Sequence, residues 1–248
     1  MKRIPLIAGL LVIASASADE GTIRRVLGPK LAEGKIISIQ RLPYGGLYEV
    51  TVQRGTGHTL VYTDESAKLV VIGRVIETAS DRDLTAERLR ALSSIEWGSL
   101  PFDRAITMKR GSGRREVAIF SDPNCPYCER FERDLARLDD ITVHIFIYPV
   151  VRPDSVRQVK AVWCSQDRVK AWNDLMFRRI EPQAKPDCAT PVDELLALGR
   201  RLGANVTPTW FLRNGQRSTG AMGMAEFVPL LDAATAAAEP GRPARGAR

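Results

Sequence analysis

The spacing of apolar and polar residues divides the chain into two differently patterned regions. Between residues 22 and 33, Ile23, Val26, Leu27 and Leu31 recur at three- and four-residue intervals, the repeat of one helical face, and Gly34 ends it. Strand-like runs follow at residues 35–41, 47–53, 59–62 and 69–76. Turn-formers separate them at Pro43-Tyr44-Gly45-Gly46, Gly55-Thr56-Gly57 and Asp64-Glu65. One helix and about four antiparallel strands make a unit of roughly sixty residues, small for a self-sufficient core. Such a unit is suited to pairing with a second copy of itself. A connecting helix comes next, with Thr85 as N-cap, Leu84 and Leu89 in staple positions and Leu92 continuing the stripe.

Gly98, Pro101 and Gly111-Ser112-Gly113 then interrupt the pattern, which places a domain boundary between about 78 and 113. The second region opens on the run 116–120, apolar from Val117 onward, the signature of a central strand buried on both faces. A helix follows with Cys128, Phe131, Leu135 and Leu138 inward, then a strand at 141–148. Residues 153 to about 180 read as one long helical insertion, with Val156, Val159, Trp163, Val169, Trp172 and Leu175 inward. A helix at 192–202, a strand at 209–213 turning at Asn214-Gly215, and a helix at 225–238 complete a β-α-β-α-β-α order. The fold class expected is thus an α+β unit followed by an α/β unit. In residue numbers, the N-terminal domain is 19–77, the linker helix and connector 78–112, and the second domain 113–238, with a disordered tail at 239–248.

Residues 1–18 stand outside this pattern. Lys2 and Arg3 precede an apolar run of about ten residues, too short to cross a bilayer, and Ala16-Ser17-Ala18 supplies a small-x-small cleavage pattern. The expectation is a cleaved secretory leader, with a mature chain of roughly 230 residues starting near Asp19. The formal charge of +7 falls to about +5 without Lys2 and Arg3, and the arginines are scattered among acids. Nucleic-acid binding calls for a basic stripe with interleaved aromatics, which the chain lacks.

An exported chain meets an oxidising compartment, where its four cysteines tend to pair. Three pairings are open. Cys125 and Cys128 are close enough to pair locally, which leaves Cys164 with Cys188. The placement of Cys125-Pro126-Tyr127-Cys128 between a buried strand and a helix matters more than its spacing. A thiolate at a helix N-terminus faces the positive end of the dipole and unpaired N–H groups, so its pKa falls. Pro126 suits the first turn, which needs no donated hydrogen bond. Cys125 is expected at the exposed helix tip as attacking thiolate, and Cys128 behind it as resolving thiol, exchanging through a mixed disulfide. A zinc site would want a second ligand pair of similar spacing, and Cys164 and Cys188 are too far apart to supply one. No metal or cofactor is therefore expected. His58 and His144 read as structural or solvent-facing, and Asp122 and Glu129 as solvated surface charge.

Residues 117–128, Val-Ala-Ile-Phe-Ser-Asp-Pro-Asn-Cys-Pro-Tyr-Cys, resemble the active-site strand and loop of the DsbC/DsbG family of periplasmic disulfide isomerases, within the thioredoxin superfamily. The likeness extends to the N-terminal helix-plus-strands unit, which resembles that family's dimerisation domain, and to residues 85–92, which resemble its linker helix. It implies a thioredoxin-like fold for the second domain, a structural disulfide between Cys164 and Cys188 in the helical insertion, and a cis bond before Pro208. On sequence alone, the Thr207-Pro208 bond would be expected to be trans, as most X-Pro bonds are. A cis bond would turn the Thr207 backbone toward Cys125, making Thr207 and Pro208 a docking edge for an extended substrate segment. The resemblance further implies a V-shaped homodimer in the periplasm of a Gram-negative bacterium. Its substrates would be unfolded or misoxidised exported proteins, its reductant a DsbD-type membrane protein, and it would also act as a chaperone. Pro-Tyr stands between the cysteines where that family commonly has Gly-Tyr. Thioredoxins bury an Asp six residues before the attacking cysteine, and Ile119 occupies that position here. The alternatives are a disulfide oxidase or reductase on the same fold, and a non-enzymatic holdase.

Overall fold

The computed structural model describes residues 14–238, so most of the expected leader and the whole expected tail lie outside the described residues. The chain forms two compact units that divide between Leu92 and Ser93.

In the first unit, helix α1 (Ala14–Leu27) packs on a four-stranded antiparallel sheet of strands β1 (Lys35–Arg41), β2 (Tyr48–Arg54), β3 (Gly57–Thr63) and β4 (Val70–Val71), in that order. Ile23 and Leu27 of the predicted stripe are buried against Ile39, Tyr48, Val50, Val52 and Val61. The helix ends before residue 33, because Gly28-Pro29 tightens the chain into a 3-10 turn. The apolar run at 69–76 is not one strand. It gives the two-residue β4 and a separate small ladder of β5 (Ile76–Glu77) with β6 (Arg82–Asp83), broken at Gly73.

Helix α2 (Leu84–Leu92) follows, but Thr85 is not its cap. Asp83 accepts the Ala86 N–H at 2.9 Å, while the buried Thr85 hydroxyl bonds Tyr62 at 2.5 Å and the Val75 N–H at 2.8 Å. Competition for one donor set decides this: Thr85 satisfies buried groups of β3 and the loop, and the carboxylate beside it takes the helix end.

The second unit is built on a five-stranded sheet in the order β11-β10-β8-β9-β7. Its edge strand β7 (Ile106–Arg110) lies in the stretch read from sequence as a connector. Strand β8 (Arg115–Ser121) is central, buried from Val117 to Ser121, and runs parallel to β9 (Ile141–Ile147) through the helix α3 (Pro126–Leu135). That strand–helix–strand crossover sets the motif at the C-terminal end of the central strand. The predicted long helix is two: α4 (Pro153–Cys164) and α5 (Arg168–Arg178). The Asp167 side chain caps α5 by accepting the Lys170 N–H, and a capping Asp in mid-pattern starts a new helix rather than continuing the old one. Helix α6 (Val192–Arg201), strands β10 (Thr209–Leu212) and β11 (Arg217–Thr219), and helix α7 (Met224–Ala238) complete the unit. Gly215, at φ +79°, makes the β10–β11 turn, where a Cβ would fall 2.1 Å from the Ile95 carbonyl oxygen. Trp172, Trp210, Phe120, Phe131, Phe146, Phe211 and Phe227 fill the core on both sheet faces.

Candidate active site

The site is assembled by α3, whose first turn begins at Pro126 with Cys125 as N-cap. The Cys125 backbone is extended, at φ −91° and ψ 113°, and its Sγ accepts the Cys128 N–H at 3.4 Å. As a thiol it donates to the Thr207 carbonyl oxygen at 3.3 Å. The Thr207-Pro208 bond is cis, and it brings the loop before β10 over the sulfur. The structure thus gathers Cys125, Cys128, Thr207 and Pro208 in one place. It does so with a difference from expectation: Cys125 is only 4% exposed, not an open helix tip, because the Thr207 loop covers it.

The two sulfurs, both free thiols here, are electrostatically unlike. Cys125 falls to a pKa of about 6, chiefly because the Cys128 thiol donates a hydrogen bond to its thiolate. The Thr207 side chain and the N–H groups of Cys128 and Tyr127 add to this, against the opposing cost of burial. Cys128, fully buried one turn into the helix, is pushed far up by desolvation and then by its neighbouring sulfur. At neutral pH the first sulfur is mostly thiolate and the second is a thiol, the asymmetry needed for an attacking and a resolving group.

Asp122 and Glu129 depart from their expected roles. Asp122 is completely buried, and its carboxylate accepts four hydrogen bonds between 2.7 and 2.9 Å from Asn124 N, Val150 N, Val151 N and Ser155 Oγ. It ties the loop before Cys125 to the chain leaving β9, and Asn124 extends the tie to Ser155 and Gln158 of α4. Glu129 is half-buried and ion-paired to Arg133 and Arg179, and Arg179 also donates to the Pro123 carbonyl at 2.7 Å. His144 is buried in β9 between Thr107 and Glu116, away from the sulfurs, and burial holds its pKa down. His58 lies in β3, in the other unit.

Cys164 and Cys188 are joined by a disulfide with Cα atoms 5.7 Å apart, linking the end of α4 to the segment before α6. The sequence reading missed Glu132. It lies on the buried face of α3 behind the cysteines, with its carboxylate accepting from Ser121 Oγ at 2.5 Å and from Trp172 Nε1 at 2.8 Å. Its spacing was a usable signal: four residues after Cys128 and flanked by Phe131 and Leu135, it had to point inward.

Around the cysteines, Tyr127, Val150, Val151, Ile180 and Val206 are exposed apolar side chains.

Comparison with known proteins agrees with this geometry. Residues 102–235 match the model of the thioredoxin-like domain, and residues 14–86 that of the disulfide bond isomerase protein N-terminal domain. A probable thiol:disulfide interchange protein DsbC from Bordetella pertussis is 42% identical over 196 residues, covering 79% of this chain and 68% of that one. The thiol:disulfide interchange protein DsbC of Escherichia coli K12 is 25% identical, over 88% of this chain and 89% of its own. Among solved structures, a disulfide interchange protein from Neisseria gonorrhoeae superposes with a TM-score of 0.52 at 36% identity, covering 55% of this chain and 99% of that one. A sulfur made nucleophilic at a helix end, a second held back as thiol, and both domain families in order establish that this chain belongs to the DsbC family of thiol:disulfide interchange proteins.

Proposed function

We propose that the protein is a periplasmic disulfide isomerase in which Cys125 attacks and Cys128 resolves. The Cys125 thiolate attacks one sulfur of a wrong substrate disulfide, forms a mixed disulfide and expels the other substrate sulfur as thiolate. If that thiolate attacks another disulfide in the substrate, and the resulting chain of exchanges returns to the mixed disulfide, Cys125 leaves unchanged and the substrate is isomerised. If not, Cys128 displaces the substrate, the cysteine pair is oxidised by two electrons, and the substrate disulfide is reduced. A DsbD-type reductant would then restore the dithiol.

The observation that carries this reading is the opposed ionisation of two sulfurs one helical turn apart. The cis Thr207-Pro208 edge and the exposed apolar side chains around it suit an extended, unfolded segment. Pairing of two copies through the first unit is supported by its edge strand β4, where Leu69, Val70, Val71 and Ile72 are all exposed. Export rests on the pattern of residues 1–18, and no helix among the described residues is long and apolar enough to cross a membrane. The domain limits proposed are those read from the sequence, except that the stretch carrying β7 belongs with the second domain, and Cys164–Cys188 is proposed as a structural staple.

Refolding of a scrambled multi-disulfide protein tests the reading. The wild type is expected to restore activity to the scrambled substrate and Cys125→Ser is not. Reshuffling by Cys125→Ser at the wild-type rate would overturn it. Sedimentation of Val70→Lys/Ile72→Lys tests the pairing: a dimeric wild type and a monomeric variant are expected.

A further inference from the structure

To act as the resolving group, Cys128 must lose its proton. As a fully buried thiol with a strongly raised pKa, it cannot resolve a mixed disulfide by spontaneous ionisation at a useful rate. Water does not reach it, so the proton must pass to a protein group.

Among the described residues, one polar route leads from this sulfur to a buried carboxylate. Ser121, the last residue of β8 and completely buried, sets its hydroxyl beside the Cys128 sulfur, where it favours the thiolate. The same hydroxyl donates to Glu132 Oε1 at 2.5 Å, and Trp172 Nε1 fixes the other carboxylate oxygen at 2.8 Å. Glu132 is 3% exposed and has no cationic partner among its hydrogen bonds. A carboxyl in that setting has one conspicuous property: protonating it removes a buried charge.

We propose that Ser121 and Glu132 form the proton path of the resolving cysteine. This inference rests on the assignment of Cys128 as the resolving group. In the step, the Cys128 S–H proton moves to Ser121 Oγ as the Ser121 O–H proton moves to Glu132 Oε1. The Cys128 thiolate attacks Cys125 Sγ, the Cys125–Cys128 bond forms, and the Cys125–substrate bond breaks. The substrate sulfur departs with the electron pair and takes a proton from solvent. In reductive regeneration the same path runs backward and returns the proton to Cys128.

The carboxyl's environment suits the task. Burial raises Glu132 to a pKa of about 7, so near neutrality it can both accept and release a proton. The ionisable groups around it are Cys125 and Cys128 at the start of its own helix and Arg110 of β7. Arg110 lines, with Glu132, Met108, Asn173 and Phe177, a small recess toward the C-terminal end of α3. That recess lies at the end of the helix opposite Cys125, which gives the proton an exit that does not pass through the bound substrate.

The test follows closure of a mixed disulfide, preformed between Cys125 and a small disulfide peptide, by rapid quench from pH 5 to 9. Wild type, Glu132→Gln and Ser121→Ala are compared. Gln keeps the shape of Glu132, and Ser121→Ala removes the hydroxyl without adding bulk, so one variant serves if the other does not fold. The wild-type closure rate is expected to rise with an inflexion near pH 7. In both variants the inflexion disappears and closure at pH 7.5 slows by about a hundredfold, the low end of general-base effects. Closure within twofold of wild type with the inflexion retained, in either variant, overturns the relay. A wild type that forms no mixed disulfide through Cys125 instead overturns the isomerase reading.

Discussion

Cys125 Sγ and the Thr207 carbonyl oxygen lie 3.3 Å apart, although 82 residues separate them in sequence. The contact joins the start of α3 to the strand entry of β10, and it puts the polypeptide edge that would hold a substrate beside the sulfur that would attack it. It also buries that sulfur, so the ionisation of Cys125 depends on donors aimed at it rather than on water. Each donor is a separate lever on the pKa.

Replacing Thr207 by Val keeps a β-branched residue before Pro208 and removes the hydroxyl. The Cys125 titration midpoint should rise from about 6, because the Thr207 side chain stabilises the thiolate. One hydrogen bond to a charged group is worth about 1.5 kcal/mol, which corresponds to about one pH unit. Thiolate absorbance near 240 nm against pH measures it. An unchanged midpoint would show that the hydroxyl contributes nothing to the thiolate.

Asp122→Asn should destabilise the second unit by about 2–4 kcal/mol, because an amide nitrogen would face donors where a carboxylate oxygen now accepts them. Urea denaturation followed by Trp fluorescence reads the change. The Asp122 network also holds the loop carrying Cys125, so the variant's Cys125 should react less uniformly with alkylating agents.

The two stretches of chain around Asp122 show where sequence reading succeeds and stops. Strand β8, the helix after it and the cysteine pair at their junction follow from an apolar run, a Pro at the first helical position and an inward-facing Cys128, all local signals. The partners of Asp122 at Val150 and Val151 are 28 and 29 residues away, and nothing local distinguishes a carboxylate that collects distant N–H groups from one in water. Glu132 was hidden differently. Its spacing was legible, but a charged residue on an apolar face conflicts with binary patterning unless Ser121 and Trp172 are known to converge on it. The split of the long helix at Asp167 and the break of the 69–76 run at Gly73 came from punctuation overridden by apolar periodicity. The edge strand β7 is too short and too polar to announce itself.

Removing the Cys164–Cys188 bridge by a double Cys→Ala substitution should cost about 3–4 kcal/mol on the chain-entropy view of a loop of this length, 24 residues apart in sequence. The pKa of Cys125 should not move, since neither sulfur of the bridge contributes to it. Denaturation and thiolate titration of the same sample separate the two effects. A shifted Cys125 would mean the bridge also shapes the site.

The buried Glu132 makes stability depend on pH in a defined direction. Its pKa is raised from 4.5 to about 7 in the fold, so its contribution is fully present below about pH 4.5 and is lost as pH rises through 7. The loss is on the order of 3 kcal/mol. The Cys125 thiolate works the other way in the reduced protein: lowered from 9.0 to about 6, it stabilises above pH 9 and this is lost as pH falls through 6. In the oxidised protein only the first effect survives. Between pH 4.5 and 7 the stability of the oxidised form should therefore decline more steeply with pH in the wild type than in Glu132→Gln, while the buried His144, its pKa held down, acts in the opposite direction in both. An equal slope in the variant would assign the decline to other groups.

The most direct measurement is the rate of alkylation of the reduced protein by iodoacetamide as a function of pH, with the modified cysteine located by mass spectrometry. Cys125 is expected to react first, with a midpoint near pH 6, while Cys128 stays unmodified through neutrality. A midpoint near the ordinary thiol value of 9.0, or modification of Cys128 ahead of Cys125, would contradict the division of labour on which the mechanism stands.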